Sequence, residues 1–340
     1  MNELVSVNIL TWNSANYLEK CLAAVFSQTY KNIEINILDN GSIDHTKELL
    51  ERILLKKSFK INLFYEEKNI GYAAGHNKLI KVSRGEFIII LNHDVILADD
   101  FIEKAVSGFK NDKKISSLQA KIYQYNNGQK TELIDTVGFV VFKSGRIIDE
   151  GQGQKDTGQF RKKREIFGAN GAAPVYRRTA LNDIRLINVL GLREEYFDED
   201  FFAYVEDIDL AWRLQWRGWR CVYLPELIAW HDRTTSKRHK KSYLDFIRHR
   251  RTQGAWARKI AWRNQWFLWV KNQPVINFLK FFPWFFWRQI RLFVYLIFFE
   301  QKTLLAIPEV IKLIPLMLRK RKIIMTTKKI SDKKMARWFK

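Results

Sequence analysis

The stretch Glu86-Phe-Ile-Ile-Ile-Leu-Asn-His-Asp-Val95 decides the fold of this chain. Five of its first six residues are apolar or aromatic, which predicts a strand buried on both faces of a sheet. The strand ends in the polar run Asn92-His93-Asp94, and ligands bind at the carboxyl ends of strands in open α/β sheets. Asp94 is therefore a candidate for holding a metal-bound diphosphate. The alternative is that Asp94 only caps a helix that follows.

The chain around this stretch alternates between strand and helix patterns. Apolar residues alternate near 5–9, 33–37 and 61–65, and helical stripes of apolar residues follow the first two of these strands and lie near 72–83 and 99–109. Such an alternation predicts an α/β fold whose mostly parallel sheet has right-handed crossovers and flanking helices. Hydrophobic residues make up 47% of the 340, which is enough for a substantial core and excludes global disorder.

Polar residues and glycines follow several of these strands. They are Thr11 and Asn13 after the first strand, Asp39 after the second, and Gly71, Gly75 and Asn77 before the strand at 86–91. Because parallel strands end at one edge of a sheet, we expect these residues to line one site. Asp39 is suited to accept hydrogen bonds from a base or a ribose, and glycines allow a bulky ligand to approach the backbone. The alternative for each residue is ordinary turn chemistry.

A second cluster of acidic residues lies in the stretch 197–213, where an aromatic-rich run meets a predicted helix. Asp207 is crowded there by aromatic residues and by Glu206 and Asp209, so we expect desolvation and like charge to raise its pKa. A raised pKa suits a general base that acts near neutral pH. The alternative is that Glu206 and Asp207 only favour the N-terminus of the helix.

One histidine stands at the end of a predicted strand, in Trp230-His231. A lone histidine is more often structural than a metal ligand. With Asp94 as a co-ligand, imidazole and carboxylate together suit Mn²⁺.

Charge divides the chain near residue 235. Residues 1–232 contain 31 Lys and Arg against 32 Asp and Glu, whereas residues 233–340 contain 27 against 4. The two cysteines, Cys21 and Cys221, lie far apart without metal-ligand spacing, which indicates a reducing, cytosolic compartment. The first residues have neither a basic n-region nor a long apolar stretch, so we expect no secretory signal.

The basic last third also contains seven of the twelve tryptophans. Its apolar run 281–299 includes Pro283, Arg288, Gln289 and Arg291, which disfavour a membrane-spanning helix. We expect a helix in the membrane interface, with buried aromatics and with arginines at anionic headgroups. The alternatives are a helical subdomain that packs on the catalytic domain or on the second subunit of a homodimer, and, more remotely, a nucleic-acid-binding region.

The ordered set of motifs resembles the inverting family-2 glycosyltransferases of the GT-A fold, and most of all the bacterial rhamnosyltransferases. The resemblance covers about residues 4–272. Its motifs are Thr11-Trp-Asn13, Asp39-Asn-Gly-Ser42, Asn69-Ile-Gly-Tyr-Ala-Ala-Gly-His-Asn77, Leu91-Asn-His-Asp-Val95, Gly168-Ala-Asn-Gly-Ala-Ala173, Glu206-Asp-Ile-Asp209, Trp230-His231, Arg263-Asn264 and Lys271-Asn272.

This resemblance implies roles for the residues that match. Thr11, Asn13 and Asp39 would contact the nucleotide, with Gly71 and Asn77 shaping its pocket. Asp94 matches the last aspartate of the Asp-x-Asp metal motif, His231 its C-terminal metal-binding histidine, and Asp207 the catalytic base. Asn92 replaces the first aspartate of that motif, and a neutral amide is a weaker ligand for a divalent cation such as Mg²⁺ or Mn²⁺.

The resemblance also implies an activity and a location. The enzyme would be an inverting hexosyltransferase that moves L-rhamnose from dTDP-L-rhamnose, or galactofuranose or glucose, onto a lipid-linked precursor of a cell-surface polysaccharide. A catalytically inactive, glycan-binding relative is the alternative. We expect a GT-A domain over residues 1–235, with a nucleotide-sugar half to about 120 and an acceptor half beyond it. Residues 236–340 would attach the enzyme peripherally to the cytoplasmic face of the plasma membrane.

Overall fold

One ten-stranded sheet organises the first two thirds of the chain in the computed structural model, which describes residues 3–54, 61–126, 128–187, 194–232, 250 and 252–340. The strands are β1 Val5–Thr11, β2 Ile33–Asp39, β3 Ile61–Tyr65, β4 Phe87–Asn92, β5 Val95–Leu97, β6 Ile115–Asn126, β7 Gln129–Thr136, β8 Phe139–Val141, β9 Ile147–Asp149, β10 Arg164–Ile166, β11 Val175–Arg177, β12 Leu186–Ile187, β13 Glu194–Glu195 and β14 Arg220–His231. The sheet order β10-β14-β6-β11-β4-β1-β2-β3 has β5 beside β14 and β7 beside β6.

Helices cover this sheet and continue beyond it. They are α1 Leu18–Phe26, α2 Thr46–Leu54, α3 Tyr72–Val82, α4 Phe101–Phe109, α5 Arg178–Asp183, α6 Glu206–Trp216, α7 Ala255–Asn272, α8 Val275–Phe299, α9 Gln301–Leu304, α10 Ile307–Thr327 and α11 Asp332–Ala336. A short 3₁₀ helix spans Glu199–Phe201. The strands and helices predicted from the periodicity of the first 120 residues are all present, and the α/β fold with a mostly parallel sheet is confirmed.

Strand β4 is buried on both faces, as its sequence predicted. Ile89 and Leu91 join the core cluster on one face of the sheet, and Ile88 and Ile90 join another cluster with Tyr176. β3, β2, β1 and β4 run parallel, and their register pairs the last residue of β1 with the last residue of β2. The polar residues that follow these strands therefore meet at one edge of the sheet.

A strand, and not a helix, follows Asp94. β5 pairs antiparallel with β14, in a register that sets Val95 opposite His231. The N-cap of the next helix, α4, is Asp100. The alternative that Asp94 caps a helix is therefore wrong, because the chain continues from Asp94 directly into a sheet pairing that brings His231 beside it.

The C-terminal helices pack partly on the sheet domain. Phe267 of α7 contacts Phe201 of the 3₁₀ helix, with ring centroids 6.1 Å apart, and both rings are fully buried. α8 leaves much of its surface open, with Trp287 62% exposed and Phe298 71% exposed. In the described part of the chain, we find no helix with the length and apolar character needed to cross a membrane. The predicted boundary near residue 235 lies outside the described residues.

Arg288 departs from its expected position. Its guanidinium lies over the ring of Trp269, and one of its nitrogens donates a hydrogen bond to Gln265, both on α7. Burial, together with the positive charges of Arg146 and Arg250, lowers its pKa to about 10. The expectation of arginines at lipid headgroups is therefore wrong for Arg288, which packs between α8 and α7, whereas Arg291 is exposed.

Candidate active site

The ends of β1 and β2 form a hydrogen-bonded unit. Thr11 and Asp39 are register partners, and the Thr11 hydroxyl donates to the Asp39 carboxylate at 3.1 Å. Ser42 donates to the same carboxylate from its hydroxyl at 2.5 Å and from its backbone N–H at 3.1 Å. Asp39 is fully buried. The structure therefore brings these two predicted residues together, and the fold itself provides the donors that hold the carboxylate.

Asn13 lies in the turn beside this unit. It has a φ of 51°, a left-handed conformation in which asparagine is enriched. Its backbone N–H donates to the hydroxyl of Ser42 at 2.9 Å, and its side-chain oxygen accepts from the backbone of Ile43 at 3.0 Å. The turn thus joins the loop after β1 to the loop after β2.

Gly71, at the N-cap of α3, and Gly75, within α3, are close to protein atoms, where a ligand was expected. A Cβ added at Gly71, whose φ is 91°, would lie 2.7 Å from the ring of Phe202. A Cβ added at Gly75 would lie 2.5 Å from Leu10. The need for glycine at both positions therefore follows from side-chain packing, and the predicted contact of Gly71 with the nucleotide stays a prediction.

Asn77 joins α3 to the segment before the 3₁₀ helix. Its amide nitrogen donates to the carbonyl of Phe197 at 2.8 Å and to Glu199 at 2.9 Å. Its oxygen accepts from the backbone N–H groups of Tyr196 at 3.1 Å and Phe197 at 2.8 Å. Both donors and both lone pairs are used within the fold, so Asn77 shapes the site through the chain that it holds.

Asp94 and His231 lie together at the end of β4. Oδ1 of Asp94 is 3.2 Å from Nε2 of His231, and Nδ1 of His231 is 2.9 Å from Asp135 at the end of β7. Burial opposes a charge on His231, but the two carboxylates outweigh burial and raise its pKa to about 10. Asn92 lies two residues before Asp94, half-buried, and its backbone N–H donates to the carbonyl of Ala172 at 3.0 Å.

The pair Asp94 and His231 fits a divalent cation. Within the described ranges, Oδ1 of Asp94 is buried without a hydrogen-bond partner, although it faces Nε2 of His231. Neighbouring ligands of an octahedral ion are about 3 Å apart when each lies about 2.1 Å from the metal, which matches the observed separation. Asp135 orients the imidazole through its other nitrogen, as carboxylates do for metal-binding histidines. Among the described residues, no group of three or more His, Cys, Asp and Glu side chains surrounds one point.

Asp207 is the second residue of α6, and its side chain is half-buried. It accepts a hydrogen bond from the backbone N–H of Gly171 at 2.9 Å and one from the N–H of Ile208 at 2.8 Å. Desolvation, together with the charge of Asp149, outweighs the hydrogen bond from Gly171 and raises the pKa of Asp207 to about 6. The expected increase is therefore present, with Asp149 as the charge that the sequence did not point to.

Glu206 differs from its neighbour. Burial, with the charge of Asp207 beside it, raises the pKa of Glu206 well above its usual range. One of its oxygens, Oε2, is buried with no hydrogen-bond partner in the described parts of the chain. Of the two neighbouring carboxyl groups, Asp207 is therefore the one whose pKa lies near neutrality.

The loop from residue 168 to residue 173 links the two acidic centres. Gly171 donates to Asp207 and its carbonyl accepts from the hydroxyl of Tyr72 at 2.9 Å. The next residue, Ala172, accepts from the backbone of Asn92 at the end of β4. The dipeptide Gly171-Ala172 therefore connects the carboxylate of Asp207 to the end of β4, beside Asp94.

Two contributing residues were missed in the sequence. Asp135 and Asp149 lie in segments without a motif, and each reaches the site through long-range contacts. A signal existed only for Asp135, which ends a strand pattern as His231 does. Phe202 belongs to the aromatic-rich stretch 197–213, but its contact with Gly71 was not expected.

Comparison with known sequences identifies relatives over much of the chain. The family model "Glycosyl transferase family 2" matches residues 6–185. The glycosyltransferase GlyG of Streptococcus pneumoniae serotype 4 is 34% identical over 103 residues, which are 30% of this chain and 34% of GlyG. Poly-β-1,6-N-acetyl-D-glucosamine synthase of Staphylococcus aureus is 24% identical over 237 residues, 68% of this chain and 50% of that protein. The chain thus spans a third to a half of the length of these relatives.

Among solved structures, the mannosyltransferase PcManGT from Pyrobaculum calidifontis, in complex with GDP-Man and Mn²⁺, has a similar fold. It matches with a TM-score of 0.53 and 14% identity, over 95% of this chain and 85% of that one. The match confirms the GT-A fold. Since the family model covers more than half of the residues, the chain belongs to glycosyl transferase family 2.

Proposed function

We propose that this protein is an inverting glycosyltransferase that transfers a sugar from a nucleoside diphosphate to an acceptor hydroxyl. The observation that carries the proposal is the half-buried carboxylate of Asp207, which is joined through Gly171 and Ala172 to the strand end of Asp94. One carboxylate is poised to titrate near neutral pH, and the other lies beside an imidazole. A single displacement needs these two functions, a base for the acceptor and a charge for the leaving group.

In the proposed mechanism, the donor lies along the carboxyl edge of β1, β2 and β4. Thr11, Asn13 and Asp39 line the nucleotide side, and Asn92 and Asp94 face the diphosphate. Asp94 and His231 would hold a divalent cation, Mg²⁺ or Mn²⁺, which supplies Lewis-acid stabilisation of the departing diphosphate. Asp207 takes the proton from the attacking hydroxyl, and the hydroxyl oxygen displaces the diphosphate from the opposite side of the anomeric carbon.

For the donor we propose L-rhamnose from dTDP-L-rhamnose, on the basis of the resemblance to rhamnosyltransferases. For the acceptor we propose a lipid-linked precursor of a cell-surface polysaccharide. One relative is named as the synthase of a polysaccharide, poly-β-1,6-N-acetyl-D-glucosamine, which supports a polysaccharide product. Galactofuranose and glucose donors are the alternatives that the same site would accept.

We also propose that residues 236–340 attach the enzyme peripherally to the cytoplasmic face of the plasma membrane, while residues 1–235 form the catalytic domain. Trp284, Trp287 and Phe298 of α8 are more than half exposed. Arg291 and the basic residues beyond it supply attraction to anionic headgroups. Aromatic side chains beside lysines and arginines are typical of helices that lie in a membrane interface.

The donor assignment is tested with a panel of nucleotide sugars and Mn²⁺. Thermal unfolding of the chain is measured with dTDP-L-rhamnose, UDP-galactofuranose and UDP-glucose, because a bound donor raises the midpoint. We expect dTDP-L-rhamnose to give the largest shift and to release dTDP, with an inverted anomeric configuration in the product by NMR. A chain that binds no nucleotide sugar and releases no diphosphate would contradict the proposal and favour a glycan-binding protein.

Membrane attachment is tested by flotation of the chain with liposomes. We expect flotation with vesicles that contain anionic lipid and loss of flotation at high salt, because the basic residues act through screened charge. Failure to float, together with a salt-dependent mobility shift of nucleic acid, would contradict this part of the proposal.

A further inference from the structure

The segment that leads into Asp207 has an unusual backbone. Phe202, Tyr204 and Val205 have φ angles of 64°, 68° and 74°, in the left-handed region that side chains other than glycine rarely adopt. The conformation is least favourable for Val205, whose side chain is branched at Cβ. Such strain persists only where the surrounding structure imposes it, and it clusters at functional sites.

Helix α7 stabilises this conformation through hydrogen bonds to the backbone of the segment. The amide nitrogen of Asn264 lies 2.7 Å from the carbonyl oxygen of Phe201 and 2.8 Å from those of Ala203 and Tyr204. Asn264 is fully buried. One side chain of α7 therefore holds three carbonyl groups of the strained segment.

The same helix also binds Asp209, which lies two residues after the proposed base. Nζ of Lys271 is 2.7 Å from the carboxylate of Asp209, and the amide nitrogen of Asn272 is 2.7 Å from the same oxygen. Lys271, Asn272 and Asp209 are all fully buried. Asp209 lies two residues beyond Asp207 in the first turn of α6, so this contact fixes the turn that carries the base.

Asp198 extends the buried ion network to α10. It binds both Lys271 and Lys320, and Lys320 also binds Asp200 at 2.6 Å. Breaking such a pair strands a buried charge, whereas removing both partners together does not. The C-terminal helices are thus joined to the acidic segment 198–209 by two buried lysines.

We propose that α7 is a working part of the catalytic site, in which Asn264 and Lys271 are positioning residues for Asp207. Asn264 fixes the backbone before Asp207, and Lys271 fixes Asp209 after it. Neither residue touches the reacting atoms. The inference rests on the proposed function of Asp207 as the base, and it goes beyond that function by assigning part of the catalytic geometry to the last third of the chain.

A matched control lies on the same pair of helices. Lys259 of α7 binds Glu309 of α10 at 2.6 Å. Lys259→Met therefore removes an ion pair between α7 and α10, while Glu309 keeps Arg263 as a partner at 3.2 Å and Asn264 and Lys271 keep their own contacts.

The test compares Asn264→Ala, Lys271→Met, the double variant Lys271→Met/Asp209→Asn, Lys271→Arg and Lys259→Met in the full chain with saturating Mn²⁺. Release of dTDP from dTDP-L-rhamnose, or of the nucleoside diphosphate of the donor that the panel selects, gives kcat and KM. Thermal unfolding identifies the variants that fold. The double variant keeps the net charge of the interior unchanged, although it also removes the carboxylate that Arg213 binds at 2.9 Å. Asn264→Ala, which changes no charge, remains informative if neither of these variants folds.

We expect Asn264→Ala and the double variant to lower kcat about 100-fold, the effect of a displacement of about 1 Å, with KM for the donor within about twofold. The acid limb of the profile of kcat/KM against pH should shift, because these substitutions change the surroundings that set the pKa of Asp207. Lys271→Arg should regain part of the loss, and Lys259→Met should match the unaltered chain. A role in folding alone would leave kcat and the acid limb unchanged in every variant that folds.

Two results would overturn separate claims. If Asp207→Asn kept its transfer rate, the proposed base would be wrong, and the inference with it. If Asp207→Asn were inactive while folded Asn264→Ala and the double variant kept full kcat and an unchanged acid limb, only the inference would fall.

Discussion

The two sides of the candidate site differ in how their carboxylates are paired. Asp39, on the nucleotide side, receives hydrogen bonds from Thr11 and from Ser42. On the proposed reacting side, Oδ1 of Asp94 and Oε2 of Glu206 are buried and have no hydrogen-bond partner among the described residues. Asp207 accepts hydrogen bonds from two backbone N–H groups and, in the part of the chain that the structure describes, from no side chain. The described side chains thus satisfy the carboxylate on one side and leave two carboxyl oxygens on the other without a donor.

This difference distinguishes carboxylates that hold the structure in place from carboxylates that are available to a ligand. A carboxylate that the fold already satisfies holds loops in position and changes little when a ligand arrives. A buried carboxylate with an unused oxygen is costly to the folded state unless a proton, a cation or a substrate compensates it. We therefore expect substitutions on the reacting side to affect turnover, and substitutions on the nucleotide side to affect stability and donor affinity.

The largest effect is expected for Asp207→Asn. Because an amide cannot accept the proton of the attacking hydroxyl, kcat should fall by about 10²–10⁴, the usual contribution of a general base. The donor should still raise the thermal midpoint as it does in the unaltered chain. Asp100→Asn, at the N-cap of α4, is the control for loss of a carboxylate elsewhere. A kcat within a few-fold of the unaltered rate would contradict the role of Asp207.

A smaller effect is expected for Asp135→Asn. The variant keeps the shape of the side chain but weakens the orientation of the His231 imidazole, which lies 2.9 Å away. Loss of such a partner lowers metal affinity about 10–100-fold. Titration of Mn²⁺ in the presence of the nucleoside diphosphate measures it, and excess Mn²⁺ should restore kcat. An unchanged Mn²⁺ affinity would show that His231 is not a ligand.

The next prediction concerns pH at saturating Mn²⁺. The pKa of Asp207 is about 6, and its base function needs the ionised form, so kcat/KM should fall about tenfold for each pH unit below 6. Removing the charge in Asp149→Asn should lower the pKa of Asp207 and move this limb to lower pH. Glu206→Gln removes a carboxyl group whose pKa burial already raises well above its usual range, and it should move the limb less. A limb that does not respond to Asp149→Asn would belong to another group.

Part of the site was readable from the sequence because its signals are local. The apolar run of β4 predicted a buried strand, and the acids and aromatics around Asp207 predicted a raised pKa. The association of His231 with Asp94 was expected from their chemistry as ligands, but β5, the three-residue strand that brings them together, is too short to leave a period. The contact of Gly71 with Phe202 was hidden, because it joins residues 131 positions apart. Long-range pairing of this kind leaves no pattern within any one segment.

The smallest effect on turnover is expected for Thr11→Val. The variant removes the hydroxyl that donates to Asp39 at 3.1 Å and leaves the two hydrogen bonds from Ser42. Loss of one buried hydrogen bond should cost about 1–3 kcal/mol of unfolding free energy, measured by urea denaturation. Since Asp39 keeps two donors and takes no part in proton transfer, kcat should change less than twofold while the donor KM rises. A large loss of kcat without loss of stability would place chemistry on the nucleotide side and remove the contrast between the two sides.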